Sequence, residues 1–121
     1  MAEDLMRKSF RPGEVIFQEG ETGAEAYVIE DGSVEISKSD AGAELILSVL
    51  KPGEVIGEMA LIDSSPRMAT ARAARKTTLI VIPKAVFSKI IGKTDAVVRV
   101  ILMALLGRLR IQSKQYVDKT L

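Results

Sequence analysis

The hydrophobic pattern of this chain changes its period once, at Pro83, and this change limits the folds open to it. Before Pro83, short β-branched runs alternate with Gly, Pro and Asp, as expected for strands joined by turns. After Pro83, apolar residues recur at helical spacing. The pattern predicts a mainly β chain with flanking helices, of the antiparallel β-roll or jelly-roll (double-stranded β-helix) type. The clearest strands are predicted at 15–17, 26–29, 34–36, 45–50 and 77–82.

Two features of the β part concern its turns. The segment Pro12-Gly13-Glu14-Val15-Ile16 returns as Pro52-Gly53-Glu54-Val55-Ile56, which predicts two equivalent turns into strands. Residues 30–33 and 40–42 each contain a glycine, which accepts the positive φ that tight hairpin turns need. Both are predicted to be hairpins.

The segment 57–70, GEMALIDSSPRMAT, has the chemistry to hold a sugar joined to a phosphate. Gly57 permits close backbone approach, and a short helix over 58–62 would aim free N–H groups and a positive dipole end at an anion. Arg67 can bond two phosphate oxygens at once. Glu58 would repel a phosphate, so a ribose hydroxyl is its natural partner. A structural ion pair between Glu58 and Arg67 is the alternative.

The residues after Arg67 also favour a cavity. Ala69, Ala71 and Ala73 alternate with larger residues, so one face of the predicted strand carries only small side chains. A packed core would fill that face, whereas a ligand cavity needs it open.

This segment resembles the phosphate-binding cassette of the cyclic nucleotide-binding domain family. Ile56 stands where the family usually has phenylalanine. Upstream segments at 12–17, 19–21 and 27–36 resemble the family as well, so that the resemblance covers most of residues 9–91. The matching cassette positions are Gly57, Glu58, Ala60, Leu61, Pro66, Arg67, Ala69 and Thr70.

The resemblance implies that Glu58 takes the ribose 2′-hydroxyl, that Arg67 takes the cyclic phosphate, and that the backbone amides of Ala60 and Met68 contact phosphate oxygens. Met68 offers no hydroxyl to a guanine edge, so cyclic AMP is expected as the ligand, with cyclic GMP possible. The expected ligand-binding residues are Gly57, Glu58, Met59, Ala60, Arg67, Met68 and Ala69, with no catalytic residue and no metal ligand.

Two helices are predicted after the strands, at 84–91 with Gly92 as its stop, and at 95–118 with Thr94 and Asp95 at its start. The second carries more apolar surface than one core-facing stripe requires: Val97, Val98, Ile101, Leu102, Leu105, Leu106 and Leu109 on one face, and Val100, Ala104 and Ile111 beside it. It is open whether this helix packs on the roll, covers the base or forms a homodimer seam. The family also suggests that Arg108 or Arg110 stacks on the base, although solvated arginines are as consistent with the sequence.

Composition limits the remaining options. The 121 residues fit one domain, 1–121, with a β-roll at about 9–83, the cassette at 57–70 and helices over 84–118. Seventeen basic and sixteen acidic residues nearly cancel, so neither nucleic acid nor a membrane surface is expected as partner. Without histidine or cysteine, disulfides, imidazole or thiolate metal sites and histidine-based catalysis are excluded. The start of the chain lacks a signal-peptide core, and a cytoplasmic location is expected.

The expected function is therefore a non-enzymatic cyclic nucleotide sensor, in which ligand occupancy moves the C-terminal helices. A metal-dependent cupin-type enzyme is disfavoured because no acid cluster has suitable spacing. The alternative is a structural jelly-roll interaction or dimerisation domain that binds no nucleotide. No output domain is expected after the helices at this length, so the chain is expected either to act through a separate effector protein, unknown from the sequence, or to be a regulatory piece that stands alone.

Overall fold

The fold consists of two four-stranded antiparallel sheets followed by two helices. The computed structural model describes residues 5–63 and 65–120, and it describes only the backbone of residues 109–120. One sheet has the order β1-β8-β3-β6 and the other β2-β7-β4-β5. The predicted fold class is confirmed. The strands are β1 (Met6–Phe10), β2 (Val15–Phe17), β3 (Glu25–Asp31), β4 (Val34–Asp40), β5 (Ala43–Leu50), β6 (Val55–Ile56), β7 (Thr70–Ala73) and β8 (Thr77–Pro83).

The repeated Pro-Gly-Glu segment forms two equivalent turns, as predicted. Gly13 and Gly53 have φ of 84° and 93°. In each turn the glutamate accepts a side-chain hydrogen bond from the backbone three residues earlier, Arg11 N–H to Glu14 at 2.9 Å and Lys51 N–H to Glu54 at 2.6 Å. The first turn leads into β2 and the second into β6, which belong to different sheets.

Of the two predicted hairpins, only one forms. Asp40 pairs with Ala43 across a two-residue loop in which Ala41 and Gly42 both have positive φ, 53° and 84°, as a tight hairpin requires. The turn at 30–33 is not a hairpin, because β3 pairs with β8 and β6 whereas β4 pairs with β5 and β7. It carries the chain from one sheet to the other.

The core lies between the sheets and comes from alternate positions of the strands: Tyr27, Ile29, Val34, Ile56, Ala71, Leu79 and Val81. β8 lies between β1 and β3, and its buried positions alternate with half-buried ones. The prediction that β8 is buried on both faces is therefore wrong. Strand β1, which starts earlier than the predicted roll, pairs with β8 along its whole length. Four of its five residues are exposed, so no apolar alternation revealed it.

The helices begin and end close to the predicted positions, but their caps differ. A 3-10 helix spans Glu58–Leu61, α1 spans Lys84–Lys93 and α2 spans Ala96–Thr120. Gly92 lies inside α1 and does not end it, because its backbone is helical. The Thr94 hydroxyl donates back to the Ile90 carbonyl of α1 at 2.7 Å, and Asp95 alone caps α2 by accepting the Val97 N–H at 2.9 Å.

Much of the apolar surface of α2 is not covered within the described part of the chain. Leu102 and Leu106 are half-buried. The exposed members are Val97, Val98, Val100, Ile101, Met103 and Leu105. Ordinary packing on the roll therefore accounts for only part of this helix, while Leu109 and Ile111 lie outside the described side chains. None of the helices over 5–63 and 65–120 is long and apolar enough to span a membrane.

Candidate functional site

The predicted site residues converge on one cavity of about 390 Å³ between the 3-10 helix and the sheet that contains β4 and β5. This volume lies in the range of small-molecule sites. Gly57, Glu58, Met59, Ala60, Arg67, Met68 and Ala69 all line it. The other lining residues are Phe17, Ile36, Leu47, Ser48, Leu50, Val55, Ile56, Ser65 and Pro66.

Arg67 is buried at the wall of this cavity, with 8% of its surface exposed. Its Nη2 donates to the Glu25 carbonyl at 2.8 Å and its Nη1 to the Gly57 carbonyl at 3.4 Å. The guanidinium carbon lies 4.1 Å from the centre of the Phe17 ring, in a cation–π contact. The hydrogen bonds that the guanidinium makes within the described residues thus end on backbone oxygens.

Two glycines make room for this side chain. A Cβ added at Gly57 would lie 2.5 Å from Arg67 Nη1, and a Cβ added at Gly23 would lie 2.5 Å from the guanidinium carbon. Gly57 also has a φ of 70°, which disfavours other residues. The chain therefore surrounds Arg67 with backbone on two sides and an aromatic ring on a third.

The electrostatics of Arg67 favour an anion. Burial lowers the pKa of Arg67, while Tyr27, Glu25 and Glu21 act in the opposite direction. Its Nε is buried and has no hydrogen-bond partner within the described residues. Since arginine keeps its charge at any physiological pH, this is a desolvated cation at the wall of a cavity. A phosphate in the cavity would compensate its charge.

The cassette begins with a short 3-10 turn over Glu58–Leu61, and Gly57 before it has the left-handed conformation. The Ala60 N–H, which the resemblance assigns to the phosphate, donates to the Gly57 carbonyl at 3.1 Å and so closes this turn. A contact between that amide and a phosphate would require a shared or rearranged hydrogen bond. Glu58 is buried, with 9% of its surface exposed, and lines the same cavity.

The alanine face is only partly open. Ala69 lines the cavity, but Ala71 and Ala73 are fully buried, and Ala71 belongs to the core cluster. The expectation that these three positions together face a ligand is therefore wrong for the last two. The reason is that β7 lies between β2 and β4, and its inward side chains face the opposing sheet.

Sequence reasoning missed the apolar wall of the cavity and the groups behind Arg67. Phe17 lines the cavity, contacts Arg67 and stacks on Tyr27 with ring centres 6.2 Å apart. Gly23 and the Glu25 carbonyl carried no local signal, because their role depends on a residue more than forty positions away. Arg108 is exposed, and Arg110 lies outside the described side chains.

Comparison with known proteins gives a consistent result. The sequence model of the family described as cyclic nucleotide-binding domain matches residues 7–94. A cAMP-dependent protein kinase regulatory subunit of Debaryomyces hansenii is 35% identical over 92 residues, which are 76% of this chain and 20% of that protein. The chain therefore spans about a fifth of the length of this relative.

Two solved structures are similar in both sequence and fold. The cAMP-bound form of the EAL enzyme Bd1971 has a TM-score of 0.71 and 35% identity, covering 91% of this chain and 30% of that one. Its cGMP-bound form has a TM-score of 0.72 and 34% identity, covering 95% and 31%.

Proposed function

This chain belongs to the cyclic nucleotide-binding domain family, and on this premise we propose that it is a cyclic AMP sensor whose ligand occupies the 390 Å³ cavity. The observation that carries the proposal is Arg67, a buried cation that lines the cavity and whose side-chain hydrogen bonds, within the described residues, end on backbone carbonyls. A cyclic phosphate supplies the opposite charge.

The cavity residues take the following parts in the proposal. Arg67 binds the cyclic phosphate, and Glu58 accepts from the ribose 2′-hydroxyl. Backbone around Gly57, Met59 and Ala60 lies against the phosphate. Met68 and Ala69 line the remaining space, together with the apolar wall from Ile36, Leu47 and Leu50, which suits a flat base.

The test is titration calorimetry with cyclic AMP. Arg67→Ala is expected to weaken binding by about 2–5 kcal/mol, because a buried charge contact is lost. Arg67→Lys should recover only part of it, since an ammonium cannot make the two-pronged contact. Arg75→Ala, which removes an exposed arginine outside the cavity, is the matched control. Unchanged affinity in Arg67→Ala would overturn the assignment.

The preference for cyclic AMP is supported by Met68, which lines the cavity directly after Arg67. Its thioether offers no hydroxyl to a guanine edge. Bd1971 was solved with either nucleotide, so competition between the two ligands is the measurement that decides. Cyclic GMP displacing cyclic AMP at lower concentration would reverse the preference.

The proposed output is a movement of the C-terminal helices. The 3-10 helix of the cassette contacts both α1 and α2. When the phosphate draws the cassette inward, Leu61 beneath it must repack, and the helices follow because packed interfaces switch between discrete arrangements. The ligand shifts that balance by its differential affinity for the two arrangements.

The proposal includes a single domain over 1–121 that acts without catalysis, in the cytoplasm, on an effector protein of unknown identity. It also includes a homodimer through α2, supported by the exposed apolar residues of that helix. Cyclic nucleotides are the only ligands proposed, with neither nucleic acid nor membrane as partner.

A further inference from the structure

The backbone of Arg67 is held by the loop between β2 and β3. The Arg67 N–H donates to the Glu21 carbonyl at 2.8 Å, and the Gly20 N–H donates to the Arg67 carbonyl at 2.8 Å. This reciprocal pair fixes Arg67 to two consecutive loop residues. The position of the guanidinium in the cavity therefore depends on where this loop is held.

Glu19, the loop residue immediately before Gly20, is hydrogen-bonded to two strands. Its Oε1 accepts the Ser39 N–H of β4 at 2.9 Å. Its own N–H donates to the Thr70 hydroxyl at the start of β7 at 2.9 Å. The hydrogen bond from Ser39 is the main reason that the pKa of Glu19 lies below its ordinary value, so this carboxylate is charged at neutral pH.

Lys38 of β4 connects the loop with the cassette. Its Nζ donates to Glu19 Oε2 at 3.1 Å and to the Met68 carbonyl at 3.2 Å. One ammonium group thus connects the loop that holds the backbone of Arg67 with Met68, the residue that follows Arg67 in the cassette. About three-quarters of each side chain is shielded, with 24% of Lys38 and 29% of Glu19 exposed.

We propose that Lys38 is a positioning residue for nucleotide binding, which acts with Glu19 to hold Arg67 in register with the phosphate. This inference rests on the proposed function. Lys38 is not among the residues that line the cavity, so its effect on binding passes through Arg67. A solvent-exposed ion pair contributes little, but this one is half-buried and hydrogen-bonded to backbone on both sides. Small displacements of a binding group cost affinity when the site is preorganised.

The experiment measures the affinity of the full chain for cyclic AMP by calorimetry. Lys38→Met keeps an unbranched side chain of nearly the same length and removes the charge, and it should weaken binding roughly three- to tenfold, as coupled neighbouring groups do. Lys38→Arg should restore most of the loss, because it can donate to both partners. Glu19→Gln, which keeps an acceptor for Ser39, should weaken binding in the same direction.

The decisive measurement is the effect of Lys38→Met on affinity in an Arg67→Ala background. If Lys38 acts by positioning Arg67, Lys38→Met costs nothing further there, whereas a general loss of stability would weaken binding in both backgrounds. Arg7→Met is the matched control, because it breaks an ion pair of 2.7 Å between β1 and β3 that is remote from the cassette. It should leave the affinity unchanged.

The outcomes separate the two proposals. A wild-type chain that binds no cyclic nucleotide overturns the proposed function, and this inference with it. A wild-type chain that binds, with full affinity retained in Lys38→Met and Glu19→Gln, overturns the inference alone. Equal losses with and without Arg67 also overturn it. If Lys38→Met does not fold, Glu19→Gln, measured with and without Arg67→Ala, decides in the same way.

Discussion

At the scale of single residues, the site is organised around one desolvated arginine. Arg67 lies between the backbone at Gly23 and Gly57 and the ring of Phe17, and its hydrogen bonds end on carbonyl oxygens. Carbonyl groups carry only partial charges, so they hold the guanidinium in place without neutralising it. An anion that enters the cavity therefore meets a cation whose side-chain hydrogen bonds, within the described residues, end on backbone carbonyls.

Gly23 lies against the guanidinium of Arg67, so a substitution at Gly23 tests this arrangement. In Gly23→Ala the new methyl group would meet the guanidinium, and the flexible side chain of Arg67 must move while the backbone is unaffected. We expect cyclic AMP affinity to fall roughly tenfold, about 1.4 kcal/mol, with little loss of stability. Calorimetry and thermal unfolding measure the two quantities separately.

Gly92→Ala is the matched control, because a Cβ at Gly92 meets nothing within 4 Å. It should leave the affinity unchanged and stabilise α1 slightly, since alanine is the better helix former. Full cyclic AMP affinity in Gly23→Ala would show that binding does not depend on the present position of the Arg67 guanidinium.

Tyr27 gives the molecule a dependence on alkaline pH. Burial, together with the hydrogen bond from its hydroxyl to Glu25 at 2.8 Å, raises the pKa of Tyr27 to about 12 from an ordinary value of 10.0. Because the folded state favours the neutral phenol, its stabilising effect is complete below pH 10 and is lost as the pH rises to about 12.

Denaturant unfolding at several pH values between 8 and 12 checks this expectation (a range chosen around the two pKa values). The free energy of unfolding of the wild type should fall between pH 10 and 12 more steeply than that of Tyr27→Phe, which lacks the titrating group. Parallel profiles for the two proteins would contradict the assignment to Tyr27.

At the scale of elements, α2 carries apolar side chains that its own domain leaves exposed. Val97, Ile101 and Leu105 are spaced four residues apart, so they form one stripe, and all three are more than half exposed. Leu102 and Leu106, on the neighbouring positions, are half-buried. The helix thus presents one apolar face to its own domain and a second one outward.

Ile101→Glu is expected to abolish the proposed dimer, because it places two like charges in the centre of the seam. Since Ile101 is 53% exposed, the stability of each domain should change by no more than about 0.5 kcal/mol. Light scattering with and without cyclic AMP measures the mass. Met103→Glu, a charge on the opposite side of the helix, is the control and should still dimerise. A wild-type chain that is monomeric under both conditions would rule out the seam.

At the scale of the whole molecule, the cavity joins parts of the chain that are far apart in sequence. It is lined by Phe17 of β2, Ile36 of β4, Leu47 of β5 and the cassette. A ligand that contacts all of these binds only the folded state, because the unfolded chain does not bring them together. Binding and folding are therefore thermodynamically linked.

Cyclic AMP at 100 times its dissociation constant should stabilise the wild type by about 2.7 kcal/mol, seen as a rise in melting temperature. Arg67→Ala should be stabilised by less than about 1 kcal/mol at the same concentration, because its affinity is about 2–5 kcal/mol weaker. A nucleotide-free structural domain, the alternative function, would melt at the same temperature with and without the ligand.

Most strands and both helices follow from local pattern. The β-branched run at 15–17 is β2, and the 45–50 run lies in β5. The cassette was recognised because its residues are consecutive, and they line one cavity in the fold. By contrast, β1 could not be predicted, since its residues are mostly exposed and its place depends on pairing with β8, some seventy positions away.

The order of residues in the chain determined the change from strands to helices, the repeated Pro-Gly-Glu turns and the composition of the cassette, because each depends on neighbours in sequence. Only the tertiary structure decided that 30–33 joins two sheets, that Ala71 belongs to the core, and that Arg67 contacts Glu25 and Phe17. These features depend on which strands pair and which faces meet. Such choices are set by the packing of the whole chain, and no local pattern encodes them.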